Sequence, residues 1–303
     1  MIDTPDFHPD LRRQQAWLPR GLGRSWLLPL LRGVFGLSAA LVRREQVTLA
    51  SCSVYLNRPA SPPEGTQAAL LWIHGGGLIM GDARQDDAFL QHIADEHGIL
   101  VASVQHRLAP KHPFPAPLDD CEQALRWLAG QADVDSKRIA VGGSSAGAGL
   151  AAALCQRVRN TDVHPAFQLL VYPMLDDRSA SGSAPEDAMH RVWDRRSNTL
   201  GWDSYLKGHD RTNLPAHAVP GRTEDLAGLP PAWIGVGTFD LFHDEDVDYA
   251  RRLREAGVSV QLEVIEGAYH GFDAMDAKAP VSRAFRASQI AALAKHLRAE
   301  PEG

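Results

Sequence analysis

Gly143-Ser144-Ser145-Ala146-Gly147 follows the apolar run RIAVG (138–142) and opens an Ala-rich stretch, Ala146–Ala153. A strand that turns straight into a helix leaves no room for side chains beside the turn, so glycines are needed two residues before and two after a central serine. Ser145 has glycine at both positions, whereas a register centred on Ser144 puts Ala146 where a glycine belongs. The serine oxygen of such a turn projects above the sheet edge, where it can act as a nucleophile.

A rival reading overlaps this stretch. Gly147-Ala-Gly149-Leu-Ala-Ala152 fits a loose G-x-G-x-x-A dinucleotide fingerprint. That motif needs an acidic residue about 20 positions on, at the end of the next strand. Asp162 falls before that predicted strand and Asp176 well past the distance, so the rival is set aside.

The second glycine cluster, His74-Gly75-Gly76-Gly77 with Gly81 beyond, follows the apolar ALLWI. Consecutive glycines let backbone N–H groups face a site unobstructed. Such donors stabilise an oxyanion, and the N–H after the nucleophile, here Ala146, completes the set. A phosphate loop would need G-x-x-x-x-G-K-[ST], and no lysine follows either cluster at that spacing.

A serine hydroxyl needs a base, and the base needs an orienting acid. Asp240 stands just after the apolar run Ala232–Val236, and His270 follows the run ending near Ile265. The order Ser, Asp, His is that of α/β-hydrolases. Asp244, Glu245 and Asp246 compete with Asp240, but three acids together suit the first turn of a helix. His74 reads as a structural member of the glycine loop and His243 as a surface residue.

Outward from these motifs, Val47–Leu56, Ala68–Ile73, Ile99–Val104, Arg138–Gly142, Phe167–Tyr172, Ala232–Val236 and Val258–Val264 read as strands. Helical spacing joins Cys121, Ala124, Leu125 and Leu128 before Gly130; it recurs from Asp244 to Gly257 and over Ala284–Leu297. Alternating strands and helices predict an α/β protein with a mostly parallel sheet covered on both faces. Between Asp176 and Gly228 the chain turns polar with no clear strand, which suggests a cap over the sheet edge.

The chain has 303 residues, long enough for one large α/β domain with insertions. Its formal charge of −6 argues against nucleic acid as the main partner. Cys52, Cys121 and Cys155 are odd in number and widely spaced, which fits a reducing, cytoplasmic setting. Residues 1–45 hold seven arginines against four acids, a net +3, so the remainder carries −9. Within that basic segment Trp26–Val42 is mostly apolar, but Arg32, Pro29, Gly33 and Gly36 interrupt it, so no membrane span is expected. The acidic extreme N-terminus does not suit a secretory signal. A helix lying on lipid and a helix packed on the protein both fit, and packing is the expectation adopted.

The motifs together resemble the hormone-sensitive-lipase-like esterases, the alpha/beta hydrolase fold-3 group. The resemblance rests on HGGGLIMG (74–81), HRLAPKHPFPAPLDD (106–120), GGSSAGAGLAAA (142–153), YPMLDD (172–177), GTFDLFHDED (237–246) and AYHGF (268–272), and covers residue 45 to the C-terminus. It implies an α/β-hydrolase fold with a helical cap, and Ser145 as nucleophile, Asp240 as orienting acid and His270 as base. Gly76, Gly77 and Ala146 would supply the oxyanion N–H groups. The core would comprise 46–177 and 229–303, and the cap 1–45 and 178–228. The implied activity is hydrolysis of short- to medium-chain carboxylic esters through an acyl-enzyme, without cofactor or metal. An amidase or peptidase with the same triad, or a non-catalytic binding member of the fold, are the alternatives. The expected partner is a small-molecule ester, with a homodimer left open. Ser144, His106, Lys111 and Leu241 depart from residues common in the family, where Asp, Tyr, Glu and Pro often stand. Trp17, Trp26, Leu30, Phe35, Trp193, Trp202, Tyr205 and Leu206 are candidates to line a cap pocket, or simply to glue cap to core.

Overall fold

The computed structural model describes residues 6–22, 24–181 and 185–298. Eight strands form one sheet: β1 (Glu45–Thr48), β2 (Ser53–Asn57), β3 (Gln67–Ile73), β4 (Leu100–Gln105), β5 (Val134–Ser144), β6 (Phe167–Val171), β7 (Ala232–Phe239) and β8 (Val260–Tyr269). Their order is β1-β2-β4-β3-β5-β6-β7-β8, with β2 antiparallel to both neighbours and the other pairs parallel. All residues of β3 and β6 are buried, as expected of parallel strands covered on both faces.

The helices are α1 (Arg12–Gln15), α2 (Leu28–Ala40), α3 (Asp87–His97), α4 (Ala116–Ala129), α5 (Ala146–Val158), α6 (Arg195–Tyr205), α7 (His243–Glu255), α8 (Phe272–Met275) and α9 (Pro280–Leu297). On one sheet face α4, α5 and α7 bury Leu118, Leu125, Leu154 and Leu253. On the other, α3 and α9 bury Leu90, Ile93, Phe285 and Leu293. The chain leaves β3 for β4 on one side and later adds β5 on the other. That reversal opens a crevice at the carboxyl ends of the strands, where ligands bind in open α/β sheets.

The structure refines the sequence reading in three places. The single strand expected over Val47–Leu56 is a hairpin, closed where Leu49 N–H donates to the Cys52 carbonyl at 2.8 Å. Strand β8 runs on to Tyr269, with a register shift against β7 between Gly237 and Phe239. Helix α3 was not expected, because only Leu90, Ile93 and Ala94 of its eleven residues are buried, too few to announce a period.

The N-terminal segment and the 178–228 insertion meet each other. Val192 N–H donates to the Pro19 carbonyl, and the Arg191 guanidinium grips both the carbonyl and the side chain of Gln15. Phe7 packs edge-on against Phe239 and Tyr269, and His8 N–H donates to the Gly267 carbonyl of β8. Among the described residues the insertion contains no strand.

Candidate active site

Ser145 sits where β5 passes directly into α5, with φ +55° and ψ −121°. A non-glycine residue in that region is strained, and its surroundings must impose it. They do so through Ser145 N–H donating to Val171 O (2.8 Å) and Met174 N–H donating to Ser145 O (3.1 Å). The flanking glycines are required sterically. A Cβ on Gly143 or Gly147 would collide with the Ile73 carbonyl at the end of β3. Gly147 and Gly149 thus lie inside α5 and serve close packing against the Ile73 and Met174 carbonyls, which explains the dinucleotide-like spacing without a dinucleotide.

The structure brings Ser145, Asp240 and His270 together from the carboxyl ends of β5, β7 and β8. His270 Nε2 lies 2.9 Å from Ser145 Oγ, and its Nδ1 lies 2.7 Å from Asp240 Oδ2. With Nδ1–H donating to the carboxylate, Nε2 is left to accept the serine proton. All three residues are buried. Asp240 is held in turn, since its Oδ1 accepts the Phe242 N–H at 3.0 Å. The imidazole stands between Tyr172 and Phe242, both edge-on with centroids 4.9 and 5.1 Å away. Tyr172 is itself anchored by donating its hydroxyl to Asp273 at 2.9 Å.

The glycine loop lies against this elbow. A Cβ on Gly75 would come within 3.4 Å of the Ser145 Cβ. Gly76 and Gly77 have φ of +119° and +59°, which turns their amides away from the strand direction. Ala146, the first residue of α5, carries one of the helix's four unpaired N–H groups. Gly75 therefore lies against the serine, and Gly76 and Gly77 continue the loop from it. Beneath the loop, His74 stacks on His106 with centroids 4.2 Å apart and planes 9° from parallel. Burial drives the pKa of both well or clearly below the usual histidine value, His74 the further, so His106 brings no positive charge to the site near neutrality. Of the other departures, Ser144 closes β5 beside Gly75, Lys111 is exposed and Leu241 is buried.

Asp244, Glu245 and Asp246 do occupy the first turn of α7, but two of them are not surface residues. Glu245 is half-buried with its carboxyl withdrawn from water, and its Oε1 accepts the N–H groups of Leu175 (2.6 Å) and Asp176 (3.2 Å). Burial pushes its carboxyl up to about 8. Asp246 is buried, and desolvation together with Glu245 and Asp240 raises it well above the normal range. Nothing local in the sequence distinguishes these acids from solvent-facing ones at a helix start. Tyr172 and Phe242 likewise escaped assignment, because the rings that meet His270 are brought to it by different strands.

Of the expected pocket-lining residues, Trp193, Trp202, Tyr205 and Leu206 are buried, whereas Trp17, Trp26 and Leu30 are exposed. The side chain of Phe35 lies outside the described ones. Leu78, Ala146, Met174, Trp202, Tyr205 and Ala218 enclose a space of about 10 Å3 beside the elbow, room for about one water. A cavity of about 730 Å3 between α3 and α9 touches none of the three site residues. Among the described residues no three His, Cys, Asp or Glu side chains converge as metal ligands.

A serine on a strand-to-helix elbow, hydrogen-bonded to a histidine that a buried aspartate holds, defines a serine hydrolase of α/β-hydrolase architecture. A family model described as alpha/beta hydrolase fold matches residues 70–274, and the chain belongs to that family, in its hormone-sensitive-lipase-like branch. It is 37% identical to esterase LipI of Mycobacterium tuberculosis over 218 residues, 71% of this chain and 68% of that protein. It is 36% identical to carboxylesterase NlhH of the same species over 239 residues, 76% and 74% of the two chains. The solved structure of a bacterial heroin esterase superposes with a TM-score of 0.87 at 33% identity, covering 97% of this chain and 98% of that one. The protein is a carboxylic ester hydrolase. No helix among the described residues is long and apolar enough to cross a membrane.

Proposed function

We propose that the protein hydrolyses short- to medium-chain carboxylic esters, with Ser145 as nucleophile, His270 as base and Asp240 as orienting acid. The unbroken chain of contacts from Ser145 Oγ through His270 to Asp240, 2.9 and 2.7 Å, carries this reading. His270 Nε2 takes the serine proton as Oγ bonds to the ester carbonyl carbon, and Asp240 stabilises the imidazolium. The N–H groups of Gly76, Gly77 and Ala146 receive the charge that develops on the carbonyl oxygen. The C–O bond to the alcohol then breaks, the imidazolium proton leaves with the alcohol, and an acyl-serine remains. Water, deprotonated by the same histidine, attacks the acyl carbon and releases the acid.

The small space beside Ala146, walled by Trp202 and Tyr205, supports the short end of the acyl range. Residues 1–45 and 178–228 act as the cap over a core of 46–177 and 229–303, and the Val192–Pro19 and Arg191–Gln15 contacts support that division. Pure Ser145→Ala protein, assayed on p-nitrophenyl butyrate, is expected to lose roughly 10³-fold or more in kcat with its melting temperature preserved. Hydrolysis retained by that variant would overturn the assignment. Rates across p-nitrophenyl esters of increasing acyl length are expected to fall once the chain outgrows the Trp202–Tyr205 wall.

A further inference from the structure

Helix α2 and its flanks present an apolar face that the fold leaves open. Trp26, Leu30, Val34, Leu37 and Leu41 are all exposed, Leu30 at 63% and Leu41 at 84%. At 100° per residue these five positions fall within an arc of about 80°. The opposite side is the one that packs. Leu28 is buried in the core, and Arg32 donates to the carbonyls of Ile79 (2.8 Å) and Ala109 (2.7 Å). A helix apolar on both sides is normally enclosed on both. This one is enclosed on one, and its free stripe runs unbroken through the whole helix.

Charge identifies what covers it. From Leu11 to Arg44 the chain has seven arginines and no acidic residue. Arg13, Arg20, Arg24 and Arg43 are exposed, and the last three flank the two ends of the stripe in sequence. A second copy of this chain is a poor match, because self-pairing about a two-fold axis would bring the same arginines of both copies around one patch. An anionic lipid surface matches on both counts, taking the apolar stripe into the acyl boundary and the arginines to its headgroups, with Trp26 suited to the interface between them.

We propose that this face of α2 docks the enzyme reversibly on anionic lipid. Arg32 fixes the helix to the loop after Gly76 and Gly77, so docking turns the glycine-loop side of the molecule towards the bilayer. The helix lies on the surface and does not span it.

Sedimentation of the full-length protein with vesicles tests this. Binding is expected to mixed phosphatidylcholine–phosphatidylglycerol vesicles, and to be at least about tenfold weaker to phosphatidylcholine alone or in high salt. A Val34→Ser/Leu37→Ser/Leu41→Ser variant is expected to lose binding by at least about tenfold, since all three side chains face outward. Its hydrolysis of soluble p-nitrophenyl acetate should stay unchanged. A second variant, Arg20→Glu/Arg24→Glu/Arg43→Glu, keeps the stripe and should lose the anionic preference. No binding by the natural protein, or undiminished binding by both variants, would overturn the proposal. So would light scattering that finds a dimer, made monomeric by the serine variant, with no vesicle binding; that outcome gives the face to a second copy.

Discussion

The imidazoles of His74 and His106 lie face to face, 4.2 Å apart and 9° from parallel, beneath the loop that carries Gly76 and Gly77. Burial lowers both pKa values, and the neighbouring His106 ring lowers that of His74 further. The folded protein therefore holds the pair neutral, while the unfolded chain protonates near the ordinary value of about 6.5. Stability from the pair is complete above that value and is lost as pH falls below it, towards the lowered folded values. Each pH unit of depression is worth about 1.4 kcal/mol. Replacing His106 by Tyr is expected to make the melting temperature fall less between pH 7.5 and 5.5, two pH values either side of about 6.5, than in the natural protein. Parallel melting curves for the two proteins would contradict the pairing.

Gly77→Ala probes the same loop sterically. The added methyl would collide with the Trp193 indole, at a backbone φ of +59° that L-residues rarely adopt. Displacing one oxyanion donor is expected to lower kcat by about 10²–10³. Combining it with Trp193→Ala should restore only part of that loss, because the collision is removed while the backbone strain at φ +59° persists. Equal kcat in the single and double variants would show that the indole is not what constrains the loop.

Asp240→Asn tests the histidine's orientation. The amide keeps the shape but cannot act as a charged acceptor for His270 Nδ1–H, now 2.7 Å away. A decrease in kcat of about 10⁴, with KM little changed, is expected from stopped or steady-state ester hydrolysis. A fall of less than about tenfold would remove Asp240 from the mechanism.

Glu245 offers a prediction at the other end of the pH scale. Its carboxyl, pushed up to about 8 by burial, stays protonated in the folded protein where the unfolded chain has already ionised. Stability is therefore greatest below the ordinary carboxyl value and declines as pH rises towards about 8. Glu245→Gln keeps an acceptor for the Leu175 and Asp176 N–H groups and removes the titration. Its melting temperature is expected to decline less between pH 6 and pH 9, a span bracketing the folded value, than that of the natural protein. An identical decline in both proteins would show that Glu245 is already ionised when folded.

What was legible in the sequence shares one physical property: the local backbone demands it. The glycines at 143 and 147 are needed because the elbow brings α5 against the carbonyl of Ile73, and no other residue fits there. The apolar runs of β3 and β6 are unbroken because parallel strands are buried on both faces. Asp240 and His270 could be picked from many acids and histidines because each follows such a run, and chain order then matched them to Ser145. The alternation of strands and helices, and with it the class of fold, follows from periodicities that are local by nature.

Tertiary structure alone decided the rest, for a reason that is equally physical. Burial and neighbours belong to the assembled sheet and not to any window of sequence. Glu245 and Asp246 have the spacing of helix-starting acids, yet Asp246 is buried and the Glu245 carboxyl turns in to the backbone of the YPMLDD loop. Tyr172 and Phe242 flank His270 only because the loops after β6, β7 and β8 converge. Trp26 and Leu30 have the apolar character of core residues, and only the orientation that Arg32 imposes on α2 turns them outward. Side-chain chemistry and spacing determined which groups this protein carries; the crossing of its strands determined which of them meet.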